Sequence, residues 1–294
     1  MFKCLSPESL GLSAAANELI EPALSNGFKG LELDIVPFAA LAEREGLPTA
    51  RRLLDSAKLK LGYFRLPVDL EAPDAEYKAA LEKLKAYAQL ASDMNCTRCV
   101  VTLAPANDSR PIHQNFEHYR QRLTACAKAL DEHGIQLGIG FCATPDAREG
   151  KDFEFIHSFD AMNLLLGMVG AKNVGLSVDL FELWACGSSF DAVRKTNMKI
   201  VAVFVADAAA GVAPADAQQN SRVLPGETGA IDTAAALTAL AEAGYEGPIT
   251  PRVHSDRFKL TGRAAIFKMA TEKLDAAWKA AGLSAAGKLA TVKR

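Results

Sequence analysis

The chain has 294 residues, 49% of them hydrophobic, and this length suits one α/β barrel as well as two smaller domains. Its 33 lysines and arginines and 35 aspartates and glutamates leave a net charge of −2, so no overall positive charge draws it to nucleic acid or to an anionic membrane. The N-terminus lacks a long apolar signal segment, and no apolar run reaches the length of about 20 residues that a membrane-spanning helix needs. We therefore expect a cytoplasmic protein with a small-molecule partner, and the sequence leaves a homo-oligomer open.

Six cysteines are present, and only Cys96 and Cys99 form a Cys-x-x-Cys spacing. Such a pair could serve zinc binding or redox chemistry, or consist of two small buried thiols. No second pair of ligands lies nearby, and Cys99 leads directly into an apolar strand-like run. This context favours buried thiols.

Short apolar runs alternate with segments of helical spacing from one end of the chain to the other, and Gly134 and Gly244 stand where two of the helices should end. The eight predicted strands are Phe2 to Leu5, Gly30 to Ile35, Leu59 to Leu66, Arg98 to Leu103, Gln136 to Phe141, Val174 to Asp179, Ile200 to Ala206 and Pro248 to Val253. This alternation predicts parallel βαβ units, and the strand count matches a closed (β/α)8 TIM barrel. A doubly wound open sheet is the alternative, although no Gly-x-Gly-x-x-Gly follows the first strand.

We predict a single barrel over residues 1–282, followed by a flexible tail over 283–294 in which alanine, glycine and lysine dominate. Two connections, 144–152 and 208–229, are longer than a simple turn. Both follow strands, so in a barrel they lie on the face where active sites form.

Charged residues cluster at the predicted strand ends. Asp179 ends an apolar run, and a buried acid at that point needs a cation opposite it. The other candidates at or after strand ends are Glu32, Arg65, Glu182, Trp184, Arg222, Glu227, Arg252 and His254.

Several motifs, in their order and spacing, resemble the xylose isomerase-like TIM barrels, a superfamily of sugar phosphate isomerases and epimerases that also includes one type of AP endonuclease. They are Gly-Phe-Lys-Gly-Leu-Glu-Leu at 27–33, Val-Gly-Leu-Ser-Val-Asp-Leu at 174–180, Lys-Ile-Val-Ala-Val-Phe-Val-Ala-Asp at 199–207, Pro-Gly-Glu at 225–227, Ile-Asp at 231–232 and Gly-Tyr-Glu-Gly-Pro-Ile-Thr at 244–250. The resemblance covers about residues 1–280 and implies the barrel fold.

The resemblance also implies a divalent metal, held by Glu, Asp, His and Glu at the ends of the last four strands. The corresponding residues here are Gly140, Asp179, Phe204 and Arg252, and Glu182 replaces a further histidine that usually follows the aspartate. One carboxylate beside a glycine, a phenyl ring and a guanidinium is a poor set of ligands for a hard cation. We therefore expect no metal and no other cofactor at this degenerate metal site, with Arg252 as the partner of Asp179.

The first functional hypothesis is a sugar or sugar phosphate isomerase or epimerase, acting on a small, anionic carbohydrate derivative. Asp179, Glu32, Glu182 and Glu227 are its candidate catalytic acids and bases. Arg65, Arg222, Arg252, His254 and Trp184 are its candidate substrate-binding residues.

The alternative is a carbohydrate-binding protein that has lost the chemistry. An abasic-site endonuclease ranks last, because it needs several metals and a basic face. Individual candidates also have structural alternatives: Glu32 could pair across neighbouring strands, Arg65 could reach solvent, and Trp184 could cover the barrel end.

Overall fold

Eight parallel strands form the frame of the protein, which a computed structural model describes for residues 1–290. In chain order they are β1 Phe2–Leu5, β2 Gly30–Glu32, β3 Lys60–Arg65, β4 Arg98–Thr102, β5 Gln136–Gly140, β6 Val174–Asp179, β7 Ile200–Val205 and β8 Pro248–Pro251. Each strand pairs with its neighbours in sequence, and β8 pairs with β1, so the sheet closes. The predicted (β/α)8 barrel is therefore confirmed, and the open sheet is wrong.

Helices surround the barrel and connect successive strands. They are α1 Ala16–Ser25, α2 Ile35–Glu45, α3 Leu47–Ala57, α4 Asp74–Asp93, α5 Ile112–Asp131, α6 Phe159–Val169, α7 Leu180–Ala185, α8 Phe190–Arg194, α9 Thr233–Glu242 and α10 Arg263–Ala280. Gly134 and Gly244, just after α5 and α9, have φ of +69° and +72°, the left-handed conformation that commonly ends a helix. None of the helices in residues 1–290 combines the length and the apolar character that crossing a membrane requires.

Successive side chains of each strand point to opposite faces of the sheet, and this alternation separates two hydrophobic cores. In β6, Leu176 and Val178 pack in the main core between strands and helices, so Ser177 and Asp179 have the opposite orientation. A second, smaller cluster consists of Phe2, Cys4, Tyr63, Val100, Ala202 and Phe204. Because β6 runs close to β7, a Cβ on Gly175 would lie 2.3 Å from the carbonyl oxygen of Lys199, which explains why this strand position is a glycine.

Cys96 and Cys99 are free thiols in the main core. Burial raises the pKa of Cys96 to about 12, which suppresses the thiolate that metal binding and redox exchange require. The interpretation as buried thiols agrees with this environment.

Two short antiparallel ribbons lie beyond the carboxyl ends of the strands. One joins Asp207–Ala208 to Arg222–Val223, and the other joins Ala106–Asn107 to Phe153–Glu154. The first ribbon folds the long connection after β7 back over the barrel mouth. This ribbon determines where Arg222 lies.

The end of the chain packs near its beginning. Residues Leu283 and Leu289 form an antiparallel bridge, and the Gly287 carbonyl accepts a hydrogen bond from the Met1 amine at 3.3 Å. Trp278 Nε1 donates to the Ser284 carbonyl at 2.9 Å. Residues 291–294 lie outside the described residues, and the mobility of 283–294 stays a prediction.

Candidate functional site

Asp179 is the last residue of β6, and both of its carboxylate oxygens accept from guanidinium groups. Oδ1 lies 2.9 Å from Arg222 Nη1, and Oδ2 lies 3.1 Å from Arg252 Nη1. Oδ1 also accepts from the Phe181 amide at 3.0 Å, which caps the short helix α7. Arg252 is thus a partner of Asp179, as the sequence predicts, and Arg222 is a second one.

Arg222 is the central cation of this site, and its side chain is only 2% exposed. The ribbon after β7 carries it over the barrel mouth, where the guanidinium lies 4.3 Å from the centroid of the Phe181 ring. Its Nη2 donates to Glu182 Oε1 at 2.5 Å, and its Nε donates to Gln219 Oε1 at 3.1 Å. Each guanidinium nitrogen therefore bonds to a different residue.

Glu182 and Gln219 connect the loops that follow three strands. Glu182 Oε2 accepts from the Ala143 amide at 2.6 Å, after β5, while Gln219 Nε2 donates to Glu182 Oε1 at 2.9 Å and to Thr144 Oγ1 at 2.8 Å. Sequence reasoning did not identify Gln219, because a glutamine inside a long polar loop carries no pattern that separates it from its neighbours.

The arginines determine the charge of Asp179. Burial opposes ionisation, but the Arg222 and Arg252 guanidiniums outweigh it and hold the pKa of Asp179 below its ordinary value. Asp179 is therefore an ionised, hydrogen-bonded carboxylate, unsuited to accepting a proton from a substrate near neutral pH.

A second polar group surrounds Glu32 at the end of β2. Glu32 accepts from Arg65 Nε at 2.7 Å, from Tyr63 OH at 3.4 Å and from the Ser6 hydroxyl. Burial raises the pKa of Glu32, and the Arg65 guanidinium and Ser6 hydroxyl only partly offset this. Ser6 directly follows β1, so the rule that selected the other strand-end residues could have found it.

Arg65 also pairs with a second carboxylate. Its Nε lies 2.8 Å from Glu8 Oε2, and the side chain of Glu8 is 67% exposed. Exposed ion pairs of this kind contribute about 1 kcal/mol or less to stability. Glu8 can thus leave Arg65 at little cost.

Two small cavities open at this end of the barrel. The mouth cavity, of about 190 Å³, is lined by Glu8, Ser9, Gly11, Arg65, Gln219, Arg222, Arg252, Val253, His254 and Ser255. The adjacent cavity, of about 200 Å³, shares Glu8 and Arg65 and adds Glu32 and Asp34. In the mouth cavity, Arg252 is the exposed member of the Asp179 group, since its side chain is 27% exposed.

Two predicted site residues lie elsewhere. Glu227 accepts from the Leu224 amide at 3.2 Å and pairs with Arg257, and it does not line either small cavity. Trp184 packs 5.6 Å from Phe181 and lines a larger cavity of about 480 Å³ between α7, α8 and α9. Their predicted roles in catalysis and sugar binding gain no support from these positions.

Asp207, just after β7, has a structural role, because its carboxylate binds the backbone of the loop that follows. Its two oxygens accept from the backbone amides of Ala208, Thr228, Gly229 and Ile231 at 2.7 to 2.9 Å. This fully buried carboxylate ties the long loop after β7 to the strand end. Its lone pairs are committed to the backbone, so it is not available as a metal ligand.

The side chains at the mouth do not fit a divalent metal. A Cβ on Gly140 would meet the Ser177 carbonyl oxygen at 3.0 Å, and Phe204 lies beneath Arg252, 5.6 Å from its guanidinium. Asp179 and Glu182 both bond to Arg222. Within residues 1–290, no group of three or more His, Cys, Asp or Glu side chains is arranged to hold a metal ion.

Comparison with known proteins gives a consistent family signal. The sequence model of the family described as xylose isomerase-like TIM barrel matches residues 20–277. An inosose isomerase from Bacillus subtilis is 26% identical over 145 residues, so the match spans about half of each protein, 49% of this chain and 49% of that relative.

Solved structures agree in fold. A xylose isomerase domain protein from Alicyclobacillus acidocaldarius aligns with a TM-score of 0.85 at 24% identity, over 96% of this chain and 99% of that one. The IOLI protein, whose crystal structure has a binding zinc atom, aligns with a TM-score of 0.75 at 16% identity, over 96% and 98%. At these identities the likeness concerns the fold alone.

Proposed function

Because the chain belongs to the xylose isomerase-like TIM barrel family, we propose that it binds a small carbohydrate derivative at the barrel mouth and isomerises or epimerises it without the family's divalent metal. The observation that carries this proposal is the mouth cavity, where the Arg65 and Arg252 guanidiniums reach the same small space. Arginine donates several hydrogen bonds in a fixed plane, which suits the oxygens of a sugar.

In the proposed reaction, Arg252 stabilises the oxygen that gains negative charge when a proton leaves the neighbouring carbon. Asp179 orients Arg252 and does not act on the substrate, because its pKa is lowered and both of its oxygens are engaged. Glu32 lines the adjacent cavity, which shares Glu8 and Arg65 with the mouth cavity, and it is the proposed base, since its raised pKa brings it closer to the range useful for proton transfer.

Charge determines which ligands the site takes. Four carboxylates, those of Glu8, Glu32, Asp179 and Glu182, surround three guanidiniums, those of Arg65, Arg222 and Arg252. An acidic sugar therefore adds negative charge to a site whose carboxylates already outnumber its guanidiniums by one, and it gains a cation only by displacing the exposed Glu8 from Arg65. We propose that an acidic group of the ligand, where present, binds Arg65 in this way.

A thermal-shift screen tests the binding step. We expect inosose, ketohexoses, sugar acids or sugar phosphates to raise the melting temperature, and Arg252→Ala to abolish the shift. Arg44→Ala is the control, because Arg44 is an exposed residue of α2, paired with Glu45, that lines none of the cavities described above. A ligand that binds Arg252→Ala as tightly as the wild type would refute the assignment of the site.

A binding protein without catalysis is the second candidate, favoured by the engagement of Asp179 and Glu182 with arginine. Proton NMR in deuterium oxide separates the two functions. An isomerase exchanges the proton next to the carbonyl of a bound sugar for deuterium, and Glu32→Gln abolishes that exchange. A ligand that binds but shows neither deuterium exchange nor conversion to an isomer would favour the non-catalytic function.

A further inference from the structure

We infer that the Arg222 guanidinium occupies the position that a bound cation would take between Asp179 and Glu182, so that the positive charge of this site is part of the chain and is not supplied by a divalent metal. The inference deepens the proposed function, on whose metal-free site it rests, by naming the residue that takes the place of the ion, and it holds whichever sugar binds.

The arrangement around Arg222 carries the argument. Its three nitrogens bond to oxygens of Asp179, Glu182 and Gln219, at 2.9, 2.5 and 3.1 Å. Two carboxylates and one amide carbonyl that converge on one point are the kind of donors that hard divalent cations prefer. Here the donors converge on a group that keeps its positive charge at every physiological pH.

The remaining oxygens of the two carboxylates are also engaged. Oδ2 of Asp179 accepts from Arg252, and Oε2 of Glu182 accepts from the Ala143 amide. A metal that approached this site would meet two guanidiniums and no free carboxylate oxygen. Electrostatic repulsion and the lack of ligands both act against metal uptake.

Removing Arg222 would weaken the electrostatic repulsion and would free carboxylate oxygens to act as ligands. Two buried carboxylates would then lie side by side, with only Arg252 to offset them, and a small cation could enter the vacated space. We expect Arg222→Ala to bind about one Mn²⁺ per chain, and water molecules would supply the remaining ligands of the ion. The wild type and Arg222→Lys, which keeps the positive charge, should bind no Mn²⁺ at the Asp179 site.

Elemental analysis after dialysis against Mn²⁺, combined with thermal melts with and without the ion, measures this. The expected result is stoichiometric Mn²⁺ and a raised melting temperature in Arg222→Ala, both lost in the double variant Asp179→Asn with Arg222→Ala. A folded Arg222→Ala that binds no Mn²⁺ would overturn the inference.

Two further arms keep the test decisive where Arg222→Ala does not fold. Arg222→Gln removes the charge but keeps most of the side-chain volume, and it should gain Asp179-dependent Mn²⁺ affinity over wild type. Stoichiometric Mn²⁺ or Zn²⁺ in the wild type that disappears in Asp179→Asn would also overturn the inference. None of these readouts uses a sugar, so failure of the ligand screen and failure of this inference are distinguishable.

Discussion

At the scale of single residues, Asp179 is the acceptor on which two guanidiniums depend. Replacing it with asparagine removes the negative charge that compensates Arg222 and Arg252. Breaking a buried ion pair on one side is costly, and we expect Asp179→Asn to lower the free energy of unfolding by about 3 kcal/mol. Urea denaturation measures this, with Asp55→Asn as the control, because Asp55 is 52% exposed in a surface pair with Arg51 and should contribute about 1 kcal/mol or less.

The same prediction has a pH dependence with a definite sign. The pKa of Asp179 is lower in the folded protein than in the unfolded chain, so its stabilising effect is present above the unfolded value of about 4 and disappears as the pH falls through the lowered folded value. The difference in stability between wild type and Asp179→Asn should therefore shrink at acid pH. Equal stability of the two proteins at neutral pH would contradict the prediction.

Strand-end position was enough to select Asp179, Glu32, Arg65 and Arg252 from the sequence, because the carboxyl ends of parallel strands meet at one end of a barrel. The sequence did not predict in the same way which of the candidate residues contact one another. Arg222 is 43 residues from Asp179 and reaches it only because a two-residue ribbon turns the loop back. Such a ribbon is too short to show any periodicity in the sequence.

At the scale of elements, the packing of β6 against β7 limits which residues the strands accept. A Cβ on Gly175 would lie 2.3 Å from the Lys199 carbonyl oxygen, so the two strands would have to separate. We expect Gly175→Ala to destabilise the protein by about 1 to 3 kcal/mol, the usual cost of overpacking.

Gly167 provides the matched control for this substitution. It lies inside α6, and a Cβ there would meet no atom within 4 Å. Alanine favours helix more than glycine does, so Gly167→Ala should stabilise by about 1 kcal/mol in the same denaturation experiment. Opposite signs for the two variants are the expected outcome, and an equal effect would contradict the packing argument.

Element positions were largely predictable, since apolar runs and glycines at helix ends depend on local physics. The bounds of the strands and helices were less predictable. The strand β2 ends at Glu32 and not at Ile35, and Ile35 is the first residue of α2. Apolar residues at this junction suit either a buried strand or the inner face of a helix, and only the packed structure decides between them.

At the scale of the whole molecule, residues 283–290 connect the end of the described chain to its start. The Leu283 to Leu289 bridge and the hydrogen bonds to Met1 and Trp278 lie within this segment. We expect a protein that ends at Gly282 to melt roughly 2 °C lower than the full chain, because these contacts are worth about 1 kcal/mol together. Differential scanning calorimetry measures the shift.

A protein that ends at Ala290 retains all of these contacts and is the matched control. Unchanged melting after truncation at Gly282 would mean that the segment contributes nothing, as the predicted flexible tail implies. The number of strands predicted barrel closure, but neither composition nor periodicity could predict which surface the terminal residues would pack against.

Because the cation between Asp179 and Glu182 is a side chain, it also determines the conditions under which such a protein can work. A bound ion is in equilibrium with its surroundings, whereas a side chain is present in one copy from the moment of synthesis. The charge between Asp179 and Glu182 is therefore independent of metal supply, of chelating metabolites and of competition between different ions.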